Sequence, residues 1–125
     1  MTTPYDELDL AKDKWVRIMG VYGDECVLWD RQGASCSPEE LPVPQQLRDR
    51  LVEWSKSYKD RDEHTDEEWR RLDPPFDIER YAADGLAVAH AVKTALPDWT
   101  VVYFDISKVD YKDPYLPRFV FEQEI

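Results

Sequence analysis

Residues 77–106 read DIERYAADGLAVAHAVKTALPDWTVVYFDI, and the two halves of this stretch follow different periods. In the first half Ile78, Tyr81, Gly85, Val88 or Ala89, Val92 and Leu96 recur every three or four residues. That spacing predicts a long helix from about Asp77 to Leu96-Pro97 with one apolar face. Its small residues, Ala82, Ala83, Gly85, Ala87, Ala89 and Ala91, let a neighbouring element approach closely, so the helix should be the structural spine. In the second half Val101, Val102, Tyr103 and Phe104 are consecutive, which predicts a central strand over Trp99–Ile106 buried on both faces.

Upstream, Trp15, Val16, Ile18, Met19, Val21 and Tyr22 form a β-prone run that breaks at Gly23-Asp24 and resumes at Cys26–Trp29, the pattern of a hairpin. Ser35–Pro44 carries three prolines and should be a loop or a single turn. Pro44 is suited to opening a helix. Leu47, Leu51, Trp54 and Tyr58 then give that helix one apolar stripe as far as about Asp60. Thr65 and Glu68 have capping-box spacing, so a short helix should turn Trp69 and Leu72 inward before Asp73-Pro74-Pro75 stops it. Phe119-Val120-Phe121 suggests a last strand, after an exposed loop over Ser107–Pro117. The whole reads as one α+β domain over residues 1–125, residues 1–13 being a flexible N-terminal segment. Two long helices and a short one should cover one face of a mixed sheet of about four strands.

The chain has 125 residues, 16 Lys+Arg against 27 Asp+Glu and a formal net charge of -11. A second compact core would have too few residues. Aromatic side chains at 13% are more than a disordered chain of this charge carries, so the acidity belongs to a folded surface. Such a surface repels phosphate backbones and anionic lipids and accelerates encounter with a basic protein. Acidity for solubility alone is the plainer reading of the same number. The longest uncharged apolar stretch, Gly85–Val92, is far below the roughly 20 residues that span a bilayer. The polar start, Met1–Leu10, has no basic n-region followed by an apolar core, so export and membrane insertion are not expected.

Cofactor and metal chemistry find no motif. Gly20, Gly23, Gly33 and Gly85 make no phosphate loop, and the serines have no nucleophile-elbow context. Cys26 and Cys36 are expected to be reduced, and His64 and His90 do not fall at zinc spacing with them. The acidic run lacks the glycine that a calcium-binding EF-hand loop needs at its sixth position. His64, among carboxylates, could have acid–base partners, though a solvated histidine satisfies the same pattern; His90 lies off the main helix stripe.

Two clusters remain as binding candidates. Residues 60–68 hold Asp60, Asp62, Glu63, Asp66, Glu67 and Glu68 with no apolar side chain, either a solvated face or a docking surface for a basic partner. Asp110, Tyr111, Asp113 and Tyr115 form a second cluster, stiffened by Pro114 and Pro117. Tyrosine there suits an interaction tip, since it buries a large rigid surface and keeps a hydroxyl. Packing of those tyrosines over a sheet edge is the alternative.

Three stretches carry a resemblance. They are Trp29-Asp30-x-x-Gly33, Leu41-Pro42-x-Pro44 with Leu47, Leu51, Trp54 and Tyr58, and Gly85-Leu86-Ala87 leading to Leu96-Pro97-Asp98-Trp99-x-Val101-x-Tyr103. Together, over about Trp15–Tyr103, they resemble the immunity proteins of contact-dependent growth inhibition and related polymorphic toxin systems. The resemblance implies a cytoplasmic protein that binds a toxin domain, often a nuclease, and blocks its active site; with the acidic surface, the leading expectation is a non-enzymatic inhibitor of a basic toxin, a monomer or weak dimer. Two other readings stay open. One is a non-catalytic adaptor using the same acidic face, and the other is a small carboxylate-dependent enzyme using Asp105 and Asp110 at the end of the central strand.

Overall fold

A computed structural model describes residues 10–20, 26–59, 63–73, 75–110, 112–113 and 115–125. A short helix α1 (Leu10–Asp13) leads into β1 (Trp15–Ile18), followed by β2 (Leu28–Trp29) and β3 (Ser35–Cys36). Helices α2 (Gln45–Lys56), α3 (Asp66–Arg70) and α4 (Ile78–Ala95) come next, then β4 (Thr100–Phe104) and β5 (Glu122–Glu124). The strands form one mixed five-stranded sheet in the order β3-β2-β1-β4-β5. β1 runs parallel to β4, pairing Val16 with Val101 and Ile18 with Tyr103, and the other pairings are antiparallel.

The α+β class, the two long helices and the short capped helix stand as expected. So does the hairpin, whose arms pair Arg17 with Trp29 and Ile18 with Leu28; its Gly23-Asp24 turn lies outside the described residues. The sheet has five strands, because Ser35-Cys36 extends it beyond β2 despite the prolines around it. A two-residue edge strand needs very little pairing to join a sheet, so composition hides it. Residues 10–13, expected to be flexible, form α1, with Leu10 buried in the core.

β4 corrects a second expectation. Val101 and Tyr103 are fully buried, whereas Thr100, Val102 and Phe104 are only half-buried, so the strand alternates. Only one face of the sheet carries α2 and α4. The apolar residues of the other face are shielded by side chains, Phe121 against Phe104 at 5.3 Å between ring centroids and the Arg17 guanidinium over Trp15 at 5.4 Å. On that outer face Arg17 Nε also lies 3.1 Å from Glu122 Oε1, an ion pair without hydrogen-bond alignment that ties β1 to β5.

The last strand is displaced from its expected position. Arg118–Val120 is a 3₁₀ turn opened by Pro117, and the strand is Glu122–Glu124. The phenylalanines misled because their apolarity serves other purposes: Phe121 packs on Phe104, while Phe119 is 82% exposed.

The core lies between the sheet and the helices. Val16, Ile18, Val101 and Tyr103 meet Leu51 and Trp54 of α2 and Tyr81, Val88, Ala89 and Val92 of α4. The expected stripes face the core, with Leu47 and Tyr58 at the ends of the α2 stripe only partly buried and Ile78, at the start of α4, 39% exposed. Cys26 and Cys36 are both thiols, and burial, with the carboxylates of Glu40 and Asp30 adding, pushes the Cys36 thiol up to about 11.

Candidate functional site

An aromatic stack organises the end of the molecule where β1 and β4 finish. Tyr103, on the inner face of β4, donates its hydroxyl to the carbonyl of Ala82 at 2.6 Å. Tyr81 donates to the carbonyl of Gly20, just past β1, at 2.7 Å, and Trp54 Nε1 donates to the carbonyl of Tyr81 at 2.8 Å. The Trp54 and Tyr81 rings stack at 4.8 Å and 16°. From there Tyr58, Phe76 and Trp69 continue the chain of ring contacts, ending at His64, whose ring is 5.7 Å from Trp69. These rings fasten α3 and its acidic flank beside the N-terminal half of α4. The loop after β4 leaves from the same end, with Ile106 buried and Asp105 accepting from the Ser107 N–H at 3.0 Å. The described residues of the first cluster and the start of the loop that carries the second therefore lie at the same end of the domain.

In the first cluster Glu63, Asp66, Glu67 and Glu68 are exposed, and Asp60 and Asp62 lie outside the described residues. Glu68 and Glu67 have local partners. Glu68 closes the expected capping box, accepting from the Thr65 N–H at 2.9 Å while its own N–H donates to Thr65 Oγ1 at 3.1 Å. Hydrogen bonding to its carboxyl from the Thr65 backbone, and then from the Thr65 side chain, holds that carboxyl below the usual range. Glu67 pairs with Arg71 one turn on. The helix displays its charge on a fixed frame, with its three acids in the first turn where the helix dipole favours them.

In the second cluster Asp110 accepts from the Lys112 N–H at 2.9 Å and Asp113 from the Tyr115 N–H at 3.0 Å, so both carboxylates shape their own turns. Tyr111 lies outside the described residues. Asp105, Asp110 and Asp113 are matched along residues 105–121 by Lys108, Lys112 and Arg118, so this loop carries no net charge. Tyr115 is 90% exposed rather than packed over a sheet edge. Phe119, equally prominent, was missed because its neighbours suggested a strand; Pro117, which cannot extend a central strand, was the signal available.

A cleft of about 630 Å³ opens at the N-terminal end of α4, floored by Phe76 and Tyr81 and rimmed by Asp73, Asp77, Asp84, Lys59 and Arg80. None of these aspartates is among the binding candidates read from the sequence. Asp77 caps α4, accepting from the Glu79 and Arg80 N–H groups at 3.1 Å. Burial drives the Tyr81 and Tyr103 hydroxyls well above the ordinary phenol range, the nearby carboxylates of Asp105 and Asp84 adding to the effect on Tyr103. Asp105 accepts hydrogen bonds from both the N–H and the hydroxyl of Ser107 and lies 3.8 Å from Lys108 Nζ, the position of a turn cap.

Among the described residues no group of three or more His, Cys, Asp or Glu side chains is placed to hold a metal ion, and no helix is long and apolar enough to cross a membrane. No curated protein and no solved structure matches the chain. A family profile does: it matches residues 14–106, from the residue before β1 to the turn after β4, and by that match this chain belongs to the Serratia CdiI immunity protein-like family.

Proposed function

We propose that this chain neutralises a cognate toxin domain, a basic nuclease, by laying its acidic end over the cationic cleft that would hold nucleic acid. It acts in the cytoplasm without catalysis of its own, as a monomer or weak dimer. The observation that carries this reading is the net charge of -11 on a domain of an immunity family. A nuclease grips phosphates with lysine and arginine, so a protein that covers the grip needs carboxylates at comparable density.

Asp60, Asp62, Glu63, Asp66, Glu67 and Glu68 form the first contact in this reading, and Asp110, Tyr111, Asp113 and Tyr115 the second. Carboxylates central to the contact would each cost about 2–5 kcal/mol on truncation, and those at its rim would change mainly the association rate. The test pairs this protein with the toxin domain encoded beside it and assays nuclease activity with and without the inhibitor. Glu63, Asp66 and Glu67 are then changed to lysine as one set, and Asp110 and Asp113 as another. Weaker binding with a shallower salt dependence in the first set is expected. Unchanged affinity and unchanged salt dependence in both sets would overturn the assignment.

A further inference from the structure

The loop after β4 departs from the rest of the acidic end in two ways that point to a separate role. Over residues 105–121 it carries balanced charge, three acids against three bases, so it adds little to the long-range field. It also presents the two most exposed large apolar side chains among the described residues, Tyr115 at 90% and Phe119 at 82%. Both are held by short-range structure. Tyr115 follows the turn in which its own N–H donates to Asp113 at 3.0 Å, and Phe119 sits in the 3₁₀ turn Arg118–Val120 opened by Pro117. That 3₁₀ turn is itself anchored to β4, since the Asp105 N–H donates to the Phe121 carbonyl at 2.7 Å and the Phe121 ring packs on Phe104.

An aromatic ring left in water forgoes the stabilisation of burial, and a fixed backbone lowers the entropy lost when a partner covers it. The geometry points to Tyr115 and Phe119 as apolar anchors that are buried against the toxin domain, so that this neutral loop holds the complex once the acidic segment has steered it together. The inference rests on the toxin-neutralising reading above and deepens it. The partner it fits is a cationic protein surface with an apolar patch beside its charged cleft. Tyr115 and Phe119 lie past residues 14–106, the part matched to the family, so contacts made there leave the shared scaffold intact.

The experiment measures association and dissociation rates of the full chain with the toxin domain encoded beside it, for the native protein and for Tyr115→Ala, Phe119→Ala and Glu63→Lys/Glu67→Lys. Dissociation is expected to accelerate on the order of 30-fold for each alanine variant with the salt dependence of association preserved, since residues of this kind dominate interface energetics. The lysine variant should slow association and leave dissociation nearly unchanged. Native dissociation rates in both alanine variants would overturn the inference while leaving the neutralising function standing. A drop in melting temperature accompanying faster dissociation would assign the rings to the fold and overturn it too. Concentration-dependent self-association lost in Phe119→Ala would give the rings to a second copy of the chain and equally overturn the inference. No binding or inhibition by the native protein would remove the toxin reading itself, and the anchors with it.

Discussion

A methyl group added at Gly85 would meet the Tyr103 hydroxyl at 2.5 Å and press on the Trp54 ring, both inside the core. Alanine normally stabilises a helix interior by about 1 kcal/mol over glycine. Here overpacking, which costs about 1–3 kcal/mol in a well-packed core, should win because the Trp54 ring is bracketed by Tyr81 and Tyr103. Gly85→Ala should therefore lower the urea midpoint at unchanged slope; a higher midpoint would refute the packing argument. The same cluster sets an alkaline limit. Tyr81 and Tyr103 keep their protons in the fold because they are buried and donate to carbonyls, while unfolded tyrosines ionise near about pH 10. A raised folded value means that this stabilisation is complete below about pH 10 and is lost as pH climbs above it. Cys36 behaves alike between its ordinary value and about 11. The double variant Tyr81→Phe/Tyr103→Phe should be less stable at neutral pH, by about 1 kcal/mol for each hydrogen bond lost, yet show a flatter decline at high pH in urea titrations.

At the scale of elements, α3 is five residues long and cannot hold itself helical. It depends on the Thr65–Glu68 box at its start and on Trp69, which meets Phe76 at 6.3 Å. Thr65→Ala should cost about 1 kcal/mol and raise hydrogen exchange in Asp66–Arg70 ahead of α4. Acid should do the same. The lowered Glu68 carboxyl stabilises the helix start above the ordinary carboxylate range and stops doing so as pH falls through its folded value. Protection factors for Asp66–Arg70 that fall no faster than those of α4 on acidification would count against the cap as the controlling contact. β5 illustrates the opposite dependence. Glu122-Gln123-Glu124 has no strand-forming pattern, and it is held by pairing with β4 and by the Arg17 ion pair. Charged side chains on such an edge also discourage pairing with another chain.

At the scale of the whole molecule, charge and shape divide the work proposed for this protein. A net charge of -11 creates a field that reaches beyond individual contacts but is cut off within about 10 Å at 0.1 M salt. Association with the cationic toxin domain should slow by about an order of magnitude or more between low and high ionic strength, with dissociation changing far less. Stopped-flow mixing over a salt series checks this, and a salt-independent association rate would rule out steering.

The amino-acid order by itself determined the helices with their buried stripes, the capping box, the hairpin and the acidity, because each depends on neighbours within a turn or two of chain. It also carried the family resemblance, since Gly85, Trp54 and Tyr103 belong to a spacing that the aromatic core imposes. The tertiary structure alone decided which face of β4 is covered, that Glu122–Glu124 is a strand, and that Phe119 faces water while Phe121 does not. Those outcomes turn on what other segments bury: an apolar residue reads the same in sequence whether a helix covers it, a ring shields it or nothing does.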